Sequence, residues 1–200
     1  MSCMKSLNVN KPHLIITVGI PGSGKSYFAE NFSETFKAPI ISNWKLRKII
    51  YKNPSFSIDE DKIIDNLIVS ILDEVLKTGR TVIYDGLTSL KSDRISIAKK
   101  AKESGYEALF VWVQTEQSTA LNRSTKSNKN SPLITVESFN SKLKQFSPPS
   151  RLEKTIVISG KHTFESQLKI VLKHLANPCV EKAQSERRTR TILKRNILIR

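Results

Sequence analysis

Cysteine is scarce in this 200-residue chain: Cys3 and Cys179 stand near opposite ends, there is no C-x-x-C pair, and only three histidines accompany them. That distribution argues against a disulfide framework or a zinc site, and a reducing cytoplasm is the expected compartment. Long apolar runs are missing too. No stretch approaches the roughly 18 apolar residues of a membrane span, and the opening MSCMKSLNVNKPH lacks the apolar centre of a signal peptide. Acidic residues are few, 18 against 33 Lys and Arg, for a formal net charge of +15. Such an excess suits a polyanionic partner, although positive charge also aids solubility. No internal repeat is visible, and no RNA-binding signature or aromatic-interleaved basic patch.

What is present is one decisive run. Gly19-Ile20-Pro21-Gly22-Ser23-Gly24-Lys25-Ser26 fits the Walker A pattern G-x-x-x-x-G-K-[ST] without a mismatch. Leu14 to Val18 (LIITV) reads as a short buried strand entering it, and Phe28, Ala29, Phe32 and Phe36 recur at helical spacing after it. The order has a chemical reason. Glycines let backbone N–H groups curl around a phosphate, and the helix N-terminus adds partial positive charge. Lys25 is placed to reach the β- and γ-phosphates of ATP, and the Ser26 hydroxyl to ligate Mg²⁺. Gly19, Pro21, Gly22, Ser23, Gly24, Lys25 and Ser26 are therefore the expected nucleotide-binding set.

The rest alternates strand and helix, the pattern of a parallel sheet covered on both faces. Ala38 to Ser42 reads as a second strand, and a helix from about Trp44 to Tyr51 ends at Asn53-Pro54. Ser57 with Glu60 forms a capping box opening a long helix, with a stripe of Ile63, Ile64, Leu67, Ile68, Ile71, Leu72, Val75 and Leu76 that Gly79 stops. A strand Thr81 to Asp85, a helix from about Lys91 to Ser104 and an apolar strand Ala108 to Val113 follow. Helices are then expected over about 116–125 and 135–145, a fifth strand over 155–158 and a last helix over 163–175, with Phe164, Leu168, Val171, Leu172 and Leu175 inward. From Asn177 the character changes. Seven cations face two acids in 177–200, a net +5, so the chain divides into a nucleotide-binding domain, 1–176, and a basic tail, 177–200.

A P-loop alone leaves GTPases, ATPases, motors and kinases open; the second motif narrows the field. In TVIYDGLTS an apolar strand runs into Asp85, and Gly86, Leu87 and Thr88 begin a loop. A carboxylate at the end of a parallel strand beside the P-loop points into the ligand crevice. There it can act on Mg²⁺ through water, orient a substrate-binding Arg, take a proton, or merely cap the next turn. Arg123, Lys126 and Lys129 are spaced three apart in a polar segment. A cationic lid of this kind answers the charge spread over a migrating phosphoryl group. Arg47, on the helix after the second strand, is either a ligand group or a surface Arg.

These segments together resemble the small P-loop kinases related to phage polynucleotide 5′-kinase, zeta toxins and chloramphenicol phosphotransferase. The resemblance spans roughly Leu14 to Leu175 and rests on GIPGSGKS, ISNWKLR, VIYDGLTSLKSDR, NRSTKSNKNSP and QFSPPSRLE. It implies a five-stranded parallel sheet in the order 2-3-1-4-5. It further implies that Arg47 binds the phosphoryl acceptor, that Asp85 of the D-x-[TN] segment positions that Arg, and that Thr88 lies with them on the substrate side. Arg123 would stabilise the transition state, with Lys126 where a second lid Arg often stands. Lys25, Asp85 and Arg123 are then the catalytic set. One departure stands out: Trp44 occupies the position where such kinases carry the Asp that serves as general base. A Trp accepts no proton; it packs, or stacks on an aromatic acceptor or nucleobase. Three functions follow in order: an ATP-dependent kinase acting on a hydroxyl of a small molecule or nucleic-acid end, an ATP-binding regulatory protein with little or no transfer activity, and a nucleic-acid-associated module whose tail contacts phosphates.

Overall fold

A computed structural model describes residues 11–126, 133–150 and 153–176. The proposed tail, 177–200, and Lys129 lie outside the described residues. Five strands, β1 (His13–Val18), β2 (Ile40–Ser42), β3 (Val82–Asp85), β4 (Glu107–Gln114) and β5 (Thr155–Ser159), pair in parallel in the order β2-β3-β1-β4-β5. Leu14 stands in register with Val82 on one side and Ala108 on the other, which makes β1 the central strand. All six β1 residues are buried, as the LIITV run requires.

The helices are α1 (Lys25–Phe36), α2 (Asn43–Ile50), α3 (Ile58–Leu76), α4 (Lys91–Glu103), α5 (Gln117–Thr125), α6 (Val136–Gln145) and α7 (Phe164–Ala176). One face of the sheet packs Ile15, Ile83, Val111, Val113 and Ile158 against Phe28 and Phe32 of α1 and Val171 of α7. The other packs Leu14, Ile16, Val82, Tyr84 and Phe110 against α3 and α4. In α3 the buried row is Ile64, Ile68, Leu72 and Leu76, while Ile63 and Leu67 are exposed. The apolar stripe is thus wider than the surface it covers: Ile71 and Val75 pack half-buried at the edge of the same core, and the outer flank stays in solvent. Among the described residues no helix is long and apolar enough to cross a membrane.

The capping box at Ser57 is half formed. The Ser57 hydroxyl accepts the Glu60 backbone N–H at 3.3 Å. The Glu60 carboxylate, instead of returning to Ser57, accepts from the backbone N–H groups of Ser55 and Phe56, both at 2.8 Å, and from Arg47. A buried cation outcompetes the reciprocal backbone bond.

Candidate nucleotide site

Every strand ends at the edge where the P-loop lies, so the sheet order places β1 and β3 side by side with Val18 and Asp85 at one rim. The loop from β1 to α1 then crosses the rim, and Gly24 caps α1 at φ 105°. Gly22 has φ +72°, and a Cβ there would stand 2.1 Å from the Ala120 carbonyl oxygen of α5. Glycine is required twice over, by conformation and by the close approach of α5. Gly160, just past β5, is equally tight: a Cβ would lie 1.9 Å from the Ser23 oxygen. The Thr115 hydroxyl also donates to that oxygen, at 2.9 Å. The P-loop is therefore braced from behind by the ends of β4 and β5.

Within the loop, the Lys25 ammonium donates to the Ile20 carbonyl at 2.9 Å. Burial lowers its pKa, the Asp85 carboxylate opposes that shift, and the cation of Lys142 on α6 adds to it. A buried amine whose desolvation Asp85 offsets only in part is a receptor for negative charge. The Ser23 hydroxyl is buried and has no partner among the described residues, as expected of a phosphate cradle.

Asp85 completes the site. Its Oδ2 accepts from the Ser26 hydroxyl at 2.6 Å and its Oδ1 from the Thr17 hydroxyl at 2.8 Å. A hydroxyl and a carboxylate side by side are hard oxygen donors, the chemistry of Mg²⁺, which keeps several waters and takes the rest from phosphate. Among the described residues no group of three or more His, Cys, Asp or Glu could hold a metal ion. The donors fit a cation that arrives with a phosphate rather than one caged by protein.

The acceptor-side residues are arranged otherwise than the resemblance implies. Arg47 is buried, with Nη1 2.8 Å from Glu60 Oε2 and Nη2 bonded to Asp61. Its guanidinium lies 4.9 Å from the Phe56 ring centre. Asp85 therefore does not position Arg47: both of its oxygens are engaged by hydroxyls, and both Arg47 Nη atoms by carboxylates on α3. Trp44 stacks on Phe56, centroids 6.1 Å apart and planes 13° apart, so the packing role prevails over an open stacking platform. Phe56 itself has φ +56°, a left-handed conformation uncommon outside glycine. Thr88 is buried and donates to the Thr17 carbonyl at 2.8 Å, bracing β1 rather than facing the crevice. Arg123, on α5, is exposed and donates to the Gly160 carbonyl at 2.9 Å, which keeps it beside the P-loop. Lys126 is exposed just past α5.

Sequence reasoning missed four groups. Lys142 acts on Lys25 from a helix remote in sequence. Gly160 had a signal, a glycine following a strand at the ligand rim, that went unread. Arg94 and Glu153 stood inside the quoted segments VIYDGLTSLKSDR and QFSPPSRLE without a role. A cavity of about 550 Å³ also opens beside the loop, lined by Ile20, Trp112, Gln114, Phe146, Val157 and Lys161 among others.

The fold and rim define a P-loop NTPase of the kinase-like type. It is similar to a gluconokinase from Sinorhizobium meliloti, at 18% identity and TM-score 0.59 over 87% of this chain and 97% of that one. A sugar kinase from Janibacter gives 13%, 0.59, 82% and 95% in the same terms. The Kti12 of Chaetomium thermophilum, solved with ADP-AlF3, gives 17%, 0.61, 82% and 97%. No curated protein matches the sequence. The family described as "Chromatin associated protein KTI12" matches residues 13–196, and the chain belongs to that family.

Proposed function

We propose that this chain binds Mg²⁺–ATP in the P-loop and works as a nucleotide-dependent regulatory protein, passing the γ-phosphoryl group to water rather than to a dedicated hydroxyl acceptor. One observation carries the reading. The phosphate side is intact at Lys25, Ser26 and Asp85, whereas Arg47 is closed into Glu60 and Asp61 beneath Phe56 and Trp44. Freeing Arg47 for an acceptor would leave the buried Glu60 carboxylate without its counter-charge, and that is costly.

Lys25 neutralises the β- and γ-phosphates, whose charge in turn offsets the desolvation of its buried ammonium. Ser26 and Asp85 would hold Mg²⁺, which would supply positive charge to the transferring phosphoryl group. Arg123 lies one residue contact from the P-loop at Gly160 and exchanges that carbonyl for the migrating group. Water attacks phosphorus, ADP leaves, and inorganic phosphate is released. A loose transition state asks little of a base, so Trp44 is no obstacle. The Kti12 structure containing ADP-AlF3 supports a nucleotide at this rim. The family's description as chromatin associated, together with the net charge of +15, supports a polyanionic partner, with the basic tail as one contact.

A second reading, kinase activity on a small hydroxyl compound or nucleic-acid end, is favoured by the 550 Å³ cavity beside Ile20, which has the volume of a small-molecule site. Turnover of ATP by the purified protein, with and without pooled acceptors (5′-OH oligonucleotides, nucleosides, sugars), separates the two. The expected result is ADP and inorganic phosphate in equal amounts, no phosphorylated acceptor by mass spectrometry, and loss of both products in Lys25→Ala. A stoichiometric phosphorylated acceptor would establish the kinase instead. Equal ATP affinity of wild type and Lys25→Ala in calorimetry would refute the nucleotide site altogether.

A further inference from the structure

Among the described residues Arg94 is the largest side chain wholly shielded from solvent, and nothing in the P-loop chemistry calls for it. Its Nε and Nη2 grip the two oxygens of Glu153, at 2.6 and 3.2 Å. Its Nη1 donates to the carbonyls of Thr88 and Ser147, both at 2.9 Å. One guanidinium thus joins three segments far apart in sequence: the loop after β3, the strap after α6, and the residue leading into β5. A second bond joins two of them, from the Ser147 N–H to the Ser89 carbonyl at 2.9 Å. Burial pushes the Glu153 carboxyl up, but hydrogen bonds from Arg94 and Ser150 outweigh it and hold the group below its ordinary range.

Two lines of contact run from this cluster. One reaches the metal-binding carboxylate. Thr88, its carbonyl held by Arg94, donates its hydroxyl to the Thr17 carbonyl at 2.8 Å, and the Thr17 hydroxyl donates to Asp85 at 2.8 Å. The other reaches α6. Ser147 follows α6, which carries Lys142, and two prolines, Pro148 and Pro149, stiffen the strap by fixing φ. A buried ion pair is a poor device for stability alone, since well-packed apolar side chains of similar volume do as well or better. It is a good device for fixing where several carbonyls sit.

Resting on the nucleotide reading above, we propose that Arg94 and Glu153 are positioning residues for the nucleotide-bound metal: their clamp sets Asp85 through Thr88 and Thr17 and ties it to the strap behind α6. Outer-shell partners of this kind alter metal affinity by about 10–100-fold when removed.

The test is calorimetric ADP binding to the full-length chain, titrated with Mg²⁺ and repeated in EDTA, for wild type, Arg94→Lys, Glu153→Gln, the double variant and Thr88→Val. Each clamp variant should raise the Mg²⁺ concentration for half-maximal effect by about tenfold, with metal-free ADP affinity within twofold of wild type. The double variant should shift no further than either single one, because the pair acts as a unit. Thr88→Val leaves the clamp whole and cuts only the next link, so it should shift the midpoint the same way with a smaller loss of thermal stability. Variants that melt earlier but keep the wild-type midpoint would make the clamp a strut and overturn the proposal, as would a Thr88→Val midpoint equal to wild type. A wild-type protein whose ADP binding ignores Mg²⁺ would overturn the nucleotide reading itself, a result distinguishable from unchanged variants on a responsive wild type.

Discussion

At the residue scale, the site turns on whether the Asp85 charge is used. Asp85→Asn keeps the shape and one acceptor oxygen but removes the anion that a hard cation needs. Metal-free nucleotide affinity should stay within a few-fold, while ATP turnover in Mg²⁺ falls at least about a hundredfold. Single-turnover kinetics with both proteins checks this, and near-normal turnover would reduce Asp85 to a brace for Ser26 and Thr17. The shape of the loop was legible because Walker A spells out a backbone conformation in consecutive letters, so Gly22, Lys25 and Ser26 announce their own geometry. The position of Asp85 was legible because a strand delivers its last residue to the rim. The ion pairs of Arg47 were hidden for the opposite reason. Its partners Glu60 and Asp61 lie a helix away, and one-dimensional spacing cannot show that a turn at Phe56 folds them back onto it. Thr88 and Arg94 were opaque likewise: their partners, Thr17 and Glu153, are 71 and 59 residues distant.

At the element scale, one carboxylate, Glu60, ties α2 to the start of α3. Hydrogen bonds from the Ser55 and Phe56 backbone, the Ser55 hydroxyl and Arg47 bring the Glu60 pKa down to about 2 from an ordinary 4.5, against the opposing pull of its burial. A folded-state pKa below the unfolded one means that the stabilisation is fully present above about pH 4.5 and is lost as pH falls toward 2. Thermal melts of wild type across that window should show a falling midpoint. Glu60→Gln, whose side chain does not titrate, should melt earlier at neutral pH and show a shallower decline in acid; parallel curves would remove Glu60 from the account. The elements themselves were readable from periodicity, with boundaries displaced by no more than two residues, since helices and strands are written in local pattern. The strand order came from the resemblance to P-loop kinases, because periodicity says nothing of which strands pair. The half-formed capping box marks the limit of local reading: the motif predicted the Ser57 bond correctly, and a tertiary partner redirected the other half.

At the scale of the whole molecule, charge is the property left unexplained by the fold. The chain carries +15, of which 177–200 contribute +5, leaving +10 on the remainder. The described elements form two closed cores, and α7 contributes Leu168, Val171 and Leu175 to one of them before the tail begins. Removing 177–200 should therefore leave the thermal midpoint within a few degrees of the full chain. If the tail contacts a polyanion, the loss should appear in the salt dependence of binding. Each phosphate contacted on duplex DNA releases counterions and steepens log K against log[salt] by about 0.9. Fluorescence anisotropy with a generic duplex over a range of salt should give a steep slope for the full chain and a shallower one for the truncation, with ATP affinity unchanged. A slope that survives truncation would place the polyanion contact on the +10 of the remainder. It would leave Ile192, Leu193, Ile197 and Leu198 as the tail's working residues, and truncation should then lower the thermal midpoint instead.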